Sequence, residues 1–228
     1  MTRTFRPLPR RAMVALGCAL LGLSLAAAED MVALKLDLPA PTFVGTPKEA
    51  PAGTNIEKPS DRPRAPLMVP KDVTNLAAGK KFTCSDTHAS AGQLEKLTDG
   101  KKDNSDENIV LLRKGRQYVQ LDLGSPQEIF AIALWHAFDS PKVYREVIVQ
   151  VADDAEFTKN VHTLFNNDLD NNAGLGAGTD RQYYETNEGK TIDTHGAKAQ
   201  FVRLYSKGST ESALNEYTEV EVYGRPPK

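Results

Sequence analysis

Hydrophobic and polar residues alternate with a period of two along five segments of the chain. The segments read QYVQLDLG (117–124), EIFAIALWH (128–136), REVIVQVADD (145–154), QFVRLYS (200–206) and YTEVEVYG (217–224). This period, together with many β-branched and aromatic residues, is typical of strands with one buried face. Turn formers such as Gly124-Ser125-Pro126 and Thr194-His195-Gly196 interrupt the pattern, so each segment predicts a separate strand.

Helical signals are few, and composition divides the rest of the chain. Only short segments near Ser90–Leu97 and Ala155–Asn160 suggest helices. Residues 29–72 carry frequent prolines and no sustained period, which predicts a proline-rich linker or a strap lying on the domain. Residues 73–225 match the size of a single domain. Its predicted fold is all-β, an antiparallel β-sandwich of jelly-roll type.

The first 28 residues have the pattern of an export signal. Four arginines precede an apolar run from Ala12 to Ala27, and Ala26-Ala27-Ala28 offers an A-x-A cleavage site before Glu29. Arg10-Arg11 leaves a twin-arginine signal open, and Cys18 leaves a lipoprotein box open. The run is too short to span a bilayer. We therefore expect a signal peptide over 1–28, a secreted or periplasmic protein and no membrane span.

Charge and cysteine content narrow the classes of partner and of stabilisation. The chain has 28 Lys+Arg, 30 Asp+Glu and a net charge of −2, so removing four arginines gives −2 − 4 = −6. An acidic surface does not favour a nucleic-acid partner, which needs a basic patch. Removal of Cys18 leaves Cys84 alone, so the mature chain cannot form an intramolecular disulfide.

Five motifs resemble, in order, a known group of domains. They are NLAAGKKFTCSD, LEKLTDGKKDNSDE, YVQLDLGSPQEIFAIALWH, VIVQVADDAEF and FVRLYSKGS with NEYTEVEVYG, and they cover about residues 73–224. The set is similar to discoidin or coagulation-factor type C domains and to family 32 carbohydrate-binding modules. That resemblance implies a galactose-binding-like sandwich with ligands at loops of one end. The chain departs from the coagulation-factor pattern by lacking the closing cysteine pair, and from many sugar-binding relatives by an insertion at 165–180.

The same resemblance implies a structural calcium ion. In relatives the ion lies where the DG loop after the first strand meets the acidic C-terminal strand. Asp99 and Glu219 match these positions, and backbone carbonyls of Lys96 and of residues 103–105 are expected to complete the shell. The alternative is a turn at Asp99 with a solvated Glu219.

The insertion FNNDLDNNAGLGAGTD offers a second cation site. Asp168, Asp170 and Asn172 alternate as oxygen ligands do in calcium loops, although the glycine and the twelfth position do not fit an EF-hand. The alternating glycines also fail the dinucleotide and P-loop patterns, because no helix start and no P-loop lysine follow. A surface loop whose Asx side chains bond their own backbone stays open.

Sugar recognition needs a flat ring and nearby hydrogen-bond donors. The residues that offer these groups are Trp135, His136, Tyr144, Arg145, Tyr183, Tyr184 and Arg203. Trp135 alternates with Ala133, which favours a core position, and His136 then falls on the opposite face. Arg203 lies between apolar neighbours and may equally well form a buried ion pair.

Catalysis is not expected. The four histidines have no H-E-x-x-H spacing, and no G-x-S-x-G elbow or set of nucleophile, base and orienting group is present. We therefore predict a non-catalytic module that binds glycan or cell-envelope polysaccharide. Two alternatives stay open: a protein–protein interaction module of an exported complex, and an accessory domain of a carbohydrate-active enzyme system.

Overall fold

The structure is a computed structural model that describes residues 1–2, 29–42, 55–58, 62–88 and 93–228. The predicted signal peptide lies outside these ranges apart from its first two residues, and the start of the helix predicted from Ser90 lies outside them too. Among the residues described, no helix is long and apolar enough to cross a membrane.

The described residues form ten strands and one short 3₁₀ helix at Leu94–Thr98. The strands are β1 Met31–Ala33, β2 Met68–Pro70, β3 Thr74–Asn75, β4 Phe82–Cys84, β5 Val110–Leu112, β6 Gln117–His136, β7 Ile148–Ala152, β8 His162–Asn166, β9 Lys190–Ser206 and β10 Asn215–Arg225. β1 and β2 form a two-stranded ribbon, and the other strands follow the order β3-β10-β6-β9-β7-β8, with β4 on β6 and β5 on β10.

Two long strands, β6 and β9, contribute to both layers of a sandwich. Residues 117–122 pair with 201–206, the register shifts, and pairing resumes between 127–134 and 190–199. β4 and β7 extend the first half, whereas β10 pairs along the second half of β6. The antiparallel β-sandwich prediction is confirmed. Gly124, at φ +85°, lies where the register of β6 shifts. The predicted turn there was wrong, because the glycine bends one strand instead of ending it.

The core follows from the period of two. Val119, Leu121, Val202, Leu204 and Val222 are all fully buried and belong to one hydrophobic cluster between the layers. Inward-facing residues of neighbouring strands meet because alternate side chains point to opposite faces.

The helix predicted over 155–160 is absent from the structure. The segment forms turns around Asp154, whose Oδ1 accepts hydrogen bonds from the backbone N–H of Thr158 (3.0 Å) and Lys159 (2.7 Å). An aspartate that bonds the backbone ahead of it competes with helix formation. Local side-chain chemistry therefore decided this loop.

The described parts of the strap, residues 29–72, lie on the sandwich. Leu36 packs against the buried Trp135 cluster. Arg225, near the C-terminus, forms ion pairs with Glu29 (2.6 Å) and Asp72 (2.5 Å) at the two ends of the strap. Both linker and strap were open from the sequence, and the described residues follow the strap arrangement.

Candidate ligand pocket at the loop end of the sandwich

Strand register gathers four connections at one end of the sandwich, which we call the loop end. The start of β6 pairs with the end of β9. The start of β7 pairs with the end of β8 and with Tyr205 of β9, and β10 begins opposite the end of β5. The connections 113–116, 137–147, 167–189 and 207–214 therefore lie close together.

A pocket of about 380 Å³ opens at the loop end. Its lining consists of Gly115, Arg145, Lys207, Ser209, Thr210, Glu211, Ser212 and Ala213. Two backbone hydrogen bonds tie the connections together, from Arg145 N–H to Gly208 O and from Lys207 N–H to Arg145 O, each 2.9 Å. Because the backbone is paired on both sides of Arg145, this loop presents its side chain from a fixed position.

The lining of the pocket is rich in hydrogen-bond donors. Ser209 Oγ accepts backbone N–H bonds from Glu211 (3.2 Å) and Ser212 (3.0 Å), and Thr210 Oγ1 accepts one from Val143 (3.2 Å). A hydroxyl has one proton and two lone pairs, so bonds accepted from the backbone leave its proton free to donate. Arg145 is exposed, and in the described part of the chain its guanidinium has no hydrogen-bond or ion-pair partner.

Two acidic groups balance part of this positive charge. Glu211 also lines the pocket, and its Oε2 accepts a hydrogen bond from the Ser140 hydroxyl (2.5 Å). Lys207 Nζ lies 4.0 Å from Glu146 Oε1. Burial raises the pKa of the Glu146 carboxyl, while the nearby Lys207 charge opposes that shift. Arg145 is therefore the cation of this pocket that neither a carboxylate nor a carbonyl engages.

Trp135 lies in the core and not at the pocket. Its side chain is fully buried, packs with Ala133 and Phe138, and donates a hydrogen bond from Nε1 to Asn187 O (3.0 Å). An enclosed indole presents no ring face to a sugar, so the expectation of a ligand-stacking Trp135 does not fit the structure. The core position that its alternation with Ala133 favours is the one observed.

The other aromatic candidates are buried as well. Tyr144, Tyr183 and Tyr184 are at most 7% exposed, and His136 is fully enclosed. The imidazole stacks on the Tyr144 ring at 4.1 Å, and its Nδ1 lies 3.0 Å from Glu185 Oε2. Burial raises the pKa of Glu185, against the opposing hydrogen bond with His136. These side chains form a buried polar cluster, and they do not face a ligand from solvent.

Arg203 lies on the outer face of the first layer, away from the pocket lining. Its guanidinium lies 4.3 Å from the Tyr118 ring centre and 3.9 Å from that of Phe157. Nε donates to Gln120 Oε1 (2.7 Å), and a terminal nitrogen donates to Ala155 O (2.9 Å). Arg203 is half-buried, and its partners here are neutral, so the alternative of a buried ion pair was wrong. The stacked guanidinium fastens the loop after β7 to the sheet.

Asp99 and Glu219, the residues of the expected calcium site, lie near each other. Glu219 is 1% exposed, and both of its carboxylate oxygens face Gly100 N–H at 3.3 and 3.2 Å. Burial, followed by the nearby charges of Glu221 and Asp99, raises the pKa of Glu219 from 4.5 to about 8. Within the described ranges Glu219 forms no ion pair, although Lys102 lies close enough to oppose the shift. A buried carboxylate without a paired cation fits a site for a hard cation.

The insertion at 165–180 folds back on itself. Asp168 accepts backbone hydrogen bonds from Asn172 (3.0 Å) and Ala173 (2.7 Å), and Asp170 Oδ2 accepts one from Asn172 Nδ2 (2.6 Å). These are the bonds of the Asx-rich loop left open by the sequence. Carboxylate oxygens of Glu146, Asp168 and Asp170 also lie within 4.8 Å of one another. Of the alternative ligand set, Asp168 and Asp170 therefore stay close to a third acid, whereas Asn172 uses its amide inside the loop.

Sequence reasoning found Arg145 but missed the rest of the pocket. Lys207, Ser209 and Ser212 belong to the run SKGSTES, whose small polar residues predict only a loop. Nothing local shows that this run meets Arg145. The contact depends on pairing between strands that are distant along the chain.

Comparisons with known proteins concern the sandwich as a whole. No protein-family model matches the chain, and no curated protein matches it. Chitosan-binding module 1 of a chitosanase/glucanase from Paenibacillus sp. IK-5 is 20% identical, covering 66% of this chain and 99% of that module at a TM-score of 0.47.

Two further solved structures are similar in the same range. A fucose-binding module of Streptococcus pneumoniae is 16% identical, with 66% of this chain and 97% of that module covered and a TM-score of 0.45. A Clostridium perfringens module in complex with GlcNAc-α-1,4-galactose is 14% identical, with 68% and 96% covered and a TM-score of 0.48. At these identities and TM-scores we draw no conclusion about the ligand of this chain.

Proposed function

We propose that this chain is a non-catalytic module that binds glycan, such as cell-envelope polysaccharide, in the loop-end pocket. The observation that carries the proposal is the unpartnered guanidinium of Arg145 among hydroxyl donors in a cavity at the loop end. Preorganised polar groups in a cleft are the usual means of orienting a small ligand. Since no aromatic residue belongs to the pocket lining, recognition here depends on hydrogen bonds and charge rather than on ring stacking.

A steric variant tests the position of the site. Ala213 is exposed and lines the pocket, so Ala213→Trp fills the cavity without removing any polar group. The matched control is Ala155→Trp, because Ala155 is also exposed but follows the opposite end of β7. We expect wild type and control to bind the same member of a glycan array, and Ala213→Trp to lose that binding. Equal binding by all three would place recognition elsewhere.

The same experiment separates glycan binding from the alternative of an exported protein partner. A silent array, together with one protein that co-purifies from the secreted fraction and depends on the same pocket, would favour the interaction module. We further propose export through the signal peptide, supported by the arginines and by Ala26-Ala27-Ala28. N-terminal sequencing of the extracellular or periplasmic protein is expected to begin within a residue or two of Glu29, and an intact Met1 would contradict this.

We propose that a structural calcium ion binds at Asp99 and Glu219, with backbone carbonyls of Lys96 and of residues 103–105. The support is the buried Glu219 carboxylate, whose raised pKa reflects a charge without an adjacent partner. Calcium accepts carboxylate and carbonyl oxygens in flexible arrangements and would stabilise that charge. Asp168 and Asp170 with Glu146 remain the alternative position. Melting in chelator and in calcium distinguishes the two.

A further inference from the structure

We propose that the loop-end pocket selects sugars that carry an anionic group, a carboxylate in preference to a sulfate ester. This inference rests on the proposed glycan-binding function, and it adds the chemical class of the bound sugar. Neutral sugars offer hydroxyl groups that both donate and accept hydrogen bonds. A carboxylate only accepts, so a pocket that mainly donates discriminates between these ligands.

The hydroxyl oxygens of the pocket are already used as acceptors. Ser209 Oγ accepts two backbone N–H bonds, and Ser212 Oγ accepts one from Leu214 N–H (3.1 Å). Thr210 Oγ1 accepts the Val143 N–H bond. Each hydroxyl therefore points its remaining proton away from the backbone donor that it serves, as a donor to a ligand. The backbone thereby fixes the role of these side chains before any ligand arrives.

The cations of the pocket differ in how much hydrogen-bonding capacity they have left. Lys207 Nζ donates to Asn172 O (3.5 Å) and lies 4.0 Å from Glu146, so part of its capacity and charge is engaged. Arg145 is exposed, and none of its five guanidinium N–H groups has a partner in the described residues. A planar guanidinium fork matches a carboxylate with two parallel hydrogen bonds. Arg145 is therefore the group that distinguishes a carboxylate from a single ammonium-type contact.

Glu211 is the one carboxylate of the lining, and its position limits what can bind. Its Oε2 accepts the Ser140 hydroxyl bond, so this oxygen is turned toward the 137–147 connection. A ligand anion at Arg145 meets two cations and one opposing carboxylate. A neutral sugar would leave the Arg145 guanidinium unpaired once the pocket is closed to water, which costs free energy.

The test compares pairs of polysaccharides that differ in charge alone. The panel contains polygalacturonate, alginate and hyaluronan, each with its carboxyl-reduced form, and dextran sulfate with dextran. We expect a carboxylated member to bind best, and its reduced form to bind at least tenfold more weakly. Binding should also weaken as salt rises from 50 to 500 mM, because exposed charges are screened over about 10 Å at 0.1 M. Stronger binding to dextran sulfate would assign the anion to a sulfate ester and overturn the carboxylate preference.

Variants of Arg145 identify the contact. Arg145→Gln removes the charge and should weaken binding of the carboxylated member by about tenfold or more. Arg145→Lys keeps the charge but loses the fork, and should fall between wild type and Arg145→Gln. The matched control is Arg181→Gln, because Arg181 is exposed but does not line the pocket. It should bind like wild type.

The outcomes separate this inference from the proposed function. Equal or better binding of the reduced or neutral members, blocked by Ala213→Trp, would overturn the anionic preference and keep the glycan-binding pocket. An effect of Arg181→Gln equal to that of Arg145→Gln would reduce the preference to general surface charge and overturn the assignment of Arg145. A panel and an array that are both silent would count against both proposals.

Discussion

Glu219→Gln isolates the free energy stored in one buried carboxylate. Glutamine keeps an oxygen that can accept the Gly100 N–H bond, but it removes the charge that wild type must bury. Glu219 has an ordinary pKa of 4.5 and a folded-state pKa of about 8. Each pKa unit corresponds to about 1.4 kcal/mol, so the shift represents on the order of 2 to 5 kcal/mol once partial solvation is allowed for.

The sign of the pH effect follows from which state binds the proton. Below pH 4.5 Glu219 is protonated in both states, and the buried group carries no charge penalty. Between about 4.5 and 8 the unfolded chain releases the proton while the folded chain retains it, so the calcium-free protein loses stability as pH rises. Wild type and Glu219→Gln should therefore be about equally stable at pH 4.5. At pH 8.5 in chelator the variant should be the more stable protein.

Calcium should reverse that order by pairing with the charged carboxylate. An ion that binds only the folded state adds about 2.7 kcal/mol at a hundredfold excess over its Kd, or a melting shift on the order of 6 to 10 °C for a domain of this size. The shift should appear in wild type, grow with pH, and be absent from Glu219→Gln and Asp99→Asn. Magnesium should have a smaller effect, because it demands a stricter octahedral shell.

Urea unfolding at pH 4.5, 7 and 8.5, with chelator or with millimolar calcium, measures these differences. Glu95→Gln is the matched control, because Glu95 is an exposed glutamate next to the same loop and should change neither dependence. A constant difference between wild type and Glu219→Gln across pH would refute the raised pKa. Loss of the calcium shift in the double variant Asp168→Asn, Asp170→Asn alone would move the ion to the cluster with Glu146.

Three further predictions concern the packing around the sites. Gly178→Ala should lower the free energy of unfolding by more than about 1 kcal/mol, because the added Cβ would lie 2.1 Å from Asn166 O; an unchanged urea midpoint would contradict this. Trp135→Phe should cost about 1 to 3 kcal/mol in the same assay, through the lost hydrogen bond to Asn187 and the smaller ring. Arg225→Ala should speed limited proteolysis of the strap while the sandwich resists, and equal cleavage rates would show that other contacts hold the strap.

The alternation of hydrophobic residues was enough to predict the strands and their buried faces. Val119 and Leu121, or Val220 and Val222, share a face of any extended chain, so burial of that face follows from the period alone. The same reasoning favoured a core position for Trp135. It did not predict that β6 and β9 each run through two layers, because a glycine turn signal looks the same whether the strand ends or bends.

The candidate site depended on contacts between distant segments. Arg145 was visible as a donor, but its neighbours Lys207 and Ser209 meet it only through pairing of the 137–147 and 207–214 connections. Likewise, the neutral partners of Arg203 come from two other segments. Which polar side chains find a partner is a long-range property, since hydrogen bonds form wherever the folded chain brings donor and acceptor within about 3 Å.

The amino-acid sequence alone thus determined the class of fold, the inward faces of the strands and the short-range chemistry of loops such as the one around Asp168. Those features arise within a few residues, from the two-residue period and from side chains that bond their own backbone. Only the tertiary structure decided that Glu219 is buried without an ion pair while Arg145 stays exposed without a partner. The free energy of a charge depends on the water and the counter-charges around it, and the packing of the whole domain sets both.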